Sequence, residues 1–355
     1  MSTKSRRHVE DAPEPKKVQN LRVNTSSFLM ANALLIVFLA MVIIGAVTSE
    51  YFLTLLNISN LLRSMAVPGV LALGMTFVLL VARIDLSVAA LMIFAPIVGV
   101  SVMDFAGDIF NFRTLVRGNN YVGSAAALIA IALITGPIIG LISGIGVVYG
   151  HITSFIMTLA MMQALRGLNF VLTNGQAFYL QVPSFTWIGK LQFFGIPFSF
   201  LVYALVTVIA ILVLRYTIVG RRLMAIGGDE NAARLAGINT RFWVVFTFGV
   251  SGFCAGLAGI LFTSRLQSVD APLAYGFELT AIAFAVVGGV SLSGGKGSPY
   301  RAFLGALVIS TMLNVFNMWG LNTWYQNMAI GGIVILVVMI DRFTQEHRVK
   351  VQQTT

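Results

Sequence analysis

Long apolar runs recur along this chain, and a run of that kind leaves few choices of fold. A helix rises about 1.5 Å per residue, so about eighteen apolar residues cross a hydrocarbon core roughly 30 Å thick. The runs predict spans near residues 28–48, 61–82, 86–103, 121–148, 152–172, 200–215, 242–263, 277–290, 302–318 and 324–341. That is ten crossings, with both ends on one side. Composition agrees, since 57% of the residues are hydrophobic, 10% are charged and the mean hydropathy is +0.88, far above an ordinary soluble domain. The expected fold class is all-α, a polytopic transmembrane helical bundle of about ten spans over 28–341. At 38.3 kDa, used almost wholly in the membrane, the chain has no room for a separate soluble catalytic domain.

The net charge of +10 raises the question of nucleic acid, and the placement of the charges answers it. With ten spans, one face collects Lys4, Arg6, Arg7, Lys16, Lys17 and Arg22, then Arg83, Arg215, Arg221, Arg222, Arg234 and Arg241, and finally Lys296, Arg301, Arg342, Arg348 and Lys350. The other face keeps Arg63, Arg113, Arg117, Arg166, Lys190 and Arg265. Seventeen against six is the positive-inside asymmetry, which puts both termini in the cytoplasm. The basic excess is a topology signal in a chain surrounded by lipid bilayer, and no nucleic-acid partner is expected.

The flanks add little. Residues 1–27 are polar and lack the apolar core and cleavage site of a secretory signal, so they read as a disordered cytoplasmic tail, with a second cytoplasmic tail at 342–355. Cys254, the single cysteine, cannot form an intrachain disulfide. Gly136, Gly140 and Gly144 repeat the G-x-x-x-G spacing, as do Gly252 and Gly256, and such spacing lets helices approach closely.

One polar island interrupts the apolar runs. Within 217–241 the segment GRRLMAIGGDENAARLAGIN (220–239) carries five charged residues between two spans. Asp229 is placed to cap a helix N-terminus, Glu230 sits in its first turn, and Gly237 stands where a left-handed residue would end it. A helix over 230–236 follows, with Glu230 and Arg234 as an i,i+4 pair and Ala232, Leu235 and Ala236 on one face. Seven residues are too few for a helix to stand alone in water. Packing or a partner must hold it, and two readings stay open: a small-residue face that docks into a groove, or a capped loop with no partner.

The island resembles the cytoplasmic coupling loop of bacterial ATP-binding cassette importers, in particular the permeases for ribose, xylose, arabinose and related sugars. Three further blocks are similar to that family: GMTFVLLVARIDLSVA (74–89), SFIMTLAMMQALRGL (154–168) and ELTAIAFAVVGGVSLSGGKGS (278–298). With the terminal LVVMIDRF the similarity covers most of residues 50–343. The GGVSL and LFTSRLQS stretches resemble the arabinose-type branch slightly more than the ribose one.

The resemblance implies a division of labour in the bacterial inner membrane. The chain would be a membrane-spanning subunit that pairs with a second permease copy or paralogue. It would work with two cytoplasmic ATP-binding cassette subunits and a periplasmic sugar-binding protein. It would be no enzyme and hold no cofactor, since the partner subunits bind the ATP. On this reading Gly220, Arg221, Arg222, Asp229, Glu230, Ala232, Ala233, Arg234, Leu235 and Gly237 couple the ATPase to the bundle, with Arg221 and Arg222 anchoring the loop by charge. Coupling of that kind requires ligand or nucleotide to bind two states with different affinity.

Many relatives carry Gly-Gly where this chain has Ala82 and Arg83. Arg83, two residues from Asp85, invites a salt bridge with it; otherwise Arg83 snorkels to headgroups while Asp85 caps the next helix. A sugar path needs hydrogen-bonding groups. Ser310, Asn314 and Asn317 make one polar stripe at i, i+4 and i+7, which either lines the path with Asp85 or bonds neighbouring helices.

Other chemistries fit poorly. The SLSGGKGS segment fails the phosphate-loop pattern, with Val290 where glycine is required and Gly297 after Lys296. His8, His151 and His347 stand apart, so no catalytic centre and no metal site is expected. The alternative of another class is an ion-coupled secondary transporter of a small polar solute, which calls for buried carboxylates in two related halves.

Overall fold

The computed structural model describes residues 33–110, 121–180 and 183–354. The tail 1–27 with its basic residues, Arg113 and Arg117, and the side chains of the 342–355 tail lie outside the described residues. In chain order the helices are α1 Ala33–Thr48, α2 Leu55–Leu80, α3 Val88–Phe110, α4 Tyr121–Val148, α5 Ser154–Thr173, α6 Pro183–Lys190 and α7 Phe198–Tyr216. They continue as α8 Ile218–Gly228, α9 Glu230–Leu235, α10 Thr240–Leu266, α11 Phe277–Val287, α12 Pro299–Met318 and α13 Thr323–Thr354. Among the described residues strand pairing is limited to two small antiparallel ladders, one joining Phe178–Tyr179 to Ser268–Val269 and one joining Gln192–Phe193 to Ile196–Pro197.

The described residues include six helices long and apolar enough to cross a membrane (α2, most of α4, α5, α7, α10 and α12) and four shorter apolar stretches in α1, α3, α11 and α13. Each expected span falls on one of these ten. Burial sorts them. The apolar windows of α2 and α10 are 78% and 72% buried, whereas those of α4, α5 and α7 are 28%, 22% and 28% buried. The chain is therefore an all-α bundle with α2, α10 and the first half of α3 at its centre and an apolar outer ring. The exposed Ile, Leu and Val of that ring face hydrocarbon, which costs nothing there.

Glycine decides how the centre packs. A methyl at Gly136 would run into the Gly252 carbonyl, one at Gly252 into the Gly136 carbonyl, and one at Gly140 into the Phe248 carbonyl. The two G-x-x-x-G patterns read from the sequence thus face each other, and α4 and α10 pack backbone on backbone. Gly259 closes a related contact. Pro96 lacks the N–H that would bond the Met92 carbonyl, and a methyl at Gly259 would strike that same carbonyl.

Candidate functional site

The island folds as two helices. Thr217 starts α8 by accepting from the Val219 N–H at 3.1 Å, and Gly220, Leu223 and Ile226 turn one face of α8 inward. Asp229 then caps α9, its Oδ1 accepting from the backbone of Asn231 (2.8 Å) and Ala232 (3.0 Å). At the far end Gly237 has φ +82°, its N–H donates to Arg234 O (3.0 Å), and Ile238 N–H donates to Ala233 O (3.1 Å). This is a Schellman ending, read correctly from Gly237. The helix closes one residue earlier than expected, at Leu235, because Ala236 already serves as the cap.

One side-chain expectation needs correction, and one open reading is decided. Arg234 does not pair with Glu230; its Nη2 donates to Asn231 Oδ1 at 2.7 Å. Glu230 instead accepts from Arg83 Nη2 at 2.7 Å, so Arg83 does not pair with Asp85 either. The reason is geometric: α8 packs on α2 and brings the start of α9 beside Arg83 in the turn after α2, while Asp85 is fully buried. Arg221 and Arg222 are exposed on α8, with the Arg222 guanidinium 5.4 Å from the Trp243 ring. Of the α9 apolar residues only Ala233 is buried, against a cluster that includes Leu223, Ile226, Trp243 and Val244. Ala232 and Ala236 are exposed, and Leu235 is 89% exposed.

Asp85 is the inner half of this junction. Its Oδ1 accepts from the N–H (3.0 Å) and hydroxyl (2.6 Å) of Ser87, and its Oδ2 accepts from the Ser251 hydroxyl at 2.8 Å. Burial pushes its carboxyl above the ordinary range, against the pull of these three hydrogen bonds. Both oxygens thus tie the 85–87 turn to α10. Ala82 holds φ +56°, a left-handed angle that glycine adopts more readily.

The late loop completes the junction. Gly294, Gly295 and Gly297 all have positive φ, and Gly295 N–H donates to Leu80 O at 3.0 Å. A methyl at Gly227 would meet both Leu80 O and Gly295 N, so α8, the end of α2 and the late loop touch through backbone. The sequence expectation stopped at a tightly turning loop and one short helix. Leu223 and Ile226, three apart, were the signal for α8, masked by the charged pair before them and the two glycines after.

The polar stripe of α12 goes to its neighbours. Asn314 exchanges amide hydrogen bonds with Asn57 of α2 (2.8 and 2.9 Å), and Asn317 Oδ1 accepts from Gln326 of α13 at 2.7 Å. Ser310 is buried. Among the described residues no cluster of His, Cys, Asp and Glu is arranged to hold a metal.

A membrane bundle with a capped, two-helix polar insertion docked at one end defines a transport permease. The family model described as "Branched-chain amino acid transport system / permease component" matches residues 57–338, and the chain belongs to that family. It is a multi-pass inner-membrane protein. It is 36% identical over 313 residues to the ribose import permease protein RbsC of Haemophilus influenzae, covering 86% of this chain and 92% of that protein. The RbsC of Escherichia coli K12 matches at 34% over 332 residues, covering 92% and 98%, and the L-arabinose ABC transporter permease protein AraH of Azospirillum brasilense at 31% over 317 residues, covering 89% of each. The arabinose-type resemblance therefore gains no advantage over the ribose type. No solved structure matches.

Proposed function

We propose that the chain is the permease subunit of an ATP-driven, binding-protein-dependent importer of a monosaccharide. The observation that carries this is the set of relatives 31–36% identical over most of both chains, which are named as permeases for ribose and L-arabinose. The chain crosses the inner membrane ten times with both termini cytoplasmic, which the positive-inside count and the ten apolar stretches support. It pairs with a second copy or a paralogue, receives sugar from a periplasmic binding protein and docks two cytoplasmic ATPase subunits, which alone hold the nucleotide.

The coupling path runs through the junction. ATPase closure moves α9 through its exposed Ala232, Leu235 and Ala236. The Asp229 cap and the Gly237 ending keep α9 a rigid six-residue arm, the Arg83–Glu230 pair carries its motion to the end of α2, and Asp85 passes it to α10. Two discrete arrangements of the bundle then expose the path to one side or the other.

The test is uptake by the reconstituted complex. Proteoliposomes holding this chain with its ATPase and binding-protein partners should take up ribose or L-arabinose only with ATP inside and binding protein outside. Uptake that persists without ATP and partners would establish a secondary transporter. ATP-driven uptake of leucine without any sugar would instead favour the amino-acid reading that the family description offers.

A further inference from the structure

A second charged pair lies away from the junction. Arg166 of α5 and Glu278 of α11 meet through a single contact, Nη2 to Oε1 at 3.0 Å, with side chains 17% and 12% exposed. Arg166 stands twelve residues along α5 from Ser154, whose hydroxyl oxygen accepts from Ile84 N–H, and Glu278 stands ten residues from Gly288. At about 1.5 Å per residue both sit roughly 15–18 Å from the junction, near the middle of a bilayer core. Ionisable groups at that depth are costly to keep and mark transport pathways.

Three details go beyond a tie between helices. The second carboxylate oxygen, Glu278 Oε2, is buried without a hydrogen-bond partner, an open acceptor in an apolar setting. The Arg166 guanidinium lies 4.2 Å from the centre of the Tyr275 ring, yet Tyr275 remains 53% exposed. Open space flanks the group, since a methyl at Gly167 beside Arg166, or at Gly276 beside Tyr275, would meet no atom within 4 Å. Gln163, one turn from Arg166 on α5, is exposed as well. Arg–carboxylate pairs are frequently bidentate, whereas this one engages a single carboxylate oxygen.

We propose that Arg166, Glu278 and Tyr275 form a hydroxyl-binding subsite at which the imported monosaccharide pauses midway through the membrane. One sugar hydroxyl donates to Glu278 Oε2, an adjacent one accepts from a free N–H of Arg166, and the C–H face of the ring rests on the open side of Tyr275. The subsite rests on the importer reading and gives it an intramembrane contact with the cargo. Glu278 lies in the first turn of α11 with Oε1 already taken by Arg166, which leaves Oε2 as the oxygen that accepts from a hydroxyl.

The experiment uses the full complex in proteoliposomes and reads sugar uptake, binding-protein-stimulated ATP hydrolysis and assembled yield. Glu278→Gln and Tyr275→Leu should each lower uptake about tenfold or more while ATP hydrolysis and yield persist, as expected when a hydrogen bond to a charged group or an aromatic platform is lost. The swap Arg166→Glu with Glu278→Arg should assemble but leave uptake low. Uptake restored by the swap would make the pair a brace and overturn the subsite. Wild-type uptake by Tyr275→Leu, which leaves the ion pair in place, would overturn it too, even if Glu278→Gln failed to assemble. An unmodified complex that imports no sugar would sink the importer reading itself, and the subsite with it.

Discussion

The seam between α4 and α10 and the short arm α9 both depend on glycine, for opposite reasons. In the seam, Gly136, Gly140 and Gly252 stand where any side chain would strike a backbone carbonyl of the facing helix. At Gly237 a methyl would meet nothing within 4 Å, and only the angle of +82° asks for glycine. The first use locks two helices into one body. The second ends an arm that touches the bundle through Ala233, Glu230 and its own chain connections. A transporter needs both, because a moving arm does work only against parts that do not deform.

Breaking the seam should have the largest effect. Gly252→Leu places a branched side chain against the Gly136 carbonyl and the Gly140 backbone, and overpacking on rigid backbone should cost more than about 3 kcal/mol. Assembled yield after detergent extraction and size exclusion should collapse. Gly331→Ala, with open space around it, should leave yield and thermal midpoint unchanged. Equal behaviour of the two variants would remove the seam from this account.

At the arm, Gly237→Val should act locally. A β-branched residue held at a left-handed angle costs about 1–3 kcal/mol, enough to unwind the end of a six-residue helix but not the bundle. The protein should insert normally, while ATP hydrolysis continues and uptake falls. Ala232→Trp and Leu235→Asp should go further in separating the two properties. Both positions are exposed, so stability should move within about 0.5 kcal/mol, whereas a docked face would lose its fit. Normal uptake in both would show that α9 is a capped loop without a partner.

The same contrast explains what could be read in advance. The apolar helices, the close-packing glycine spacing, the Asp229 cap and the Gly237 ending are local or periodic signals, and the structure keeps them. The Arg83–Glu230 pair is separated by 147 residues and was hidden by nearer candidates, Asp85 for one and Arg234 for the other. Helix α8 was missed because its inward residues Gly220, Leu223 and Ile226 include only two apolar side chains, amid charges and glycines. Arg166 and Glu278 were counted as an outer-face charge and a span end. Only the fold, which sets α5 beside the 271–274 turn that leads into α11, shows that they meet.

The smallest effect belongs to the link between arm and body. Arg83 and Glu230 are 30% and 42% exposed, so solvent and salt screen their attraction. A double-mutant cycle with Arg83→Ala and Glu230→Ala should give a coupling of about 0.2–1 kcal/mol in thermal or denaturant stability, shrinking as salt is raised. If the pair carries motion, uptake per ATP hydrolysed should fall in each single variant by more than this stability loss explains, and the double variant should fall no further than either single. Additive losses would mean the two residues act separately, leaving the Gly227, Leu80 and Gly295 backbone contact as the route from arm to bundle.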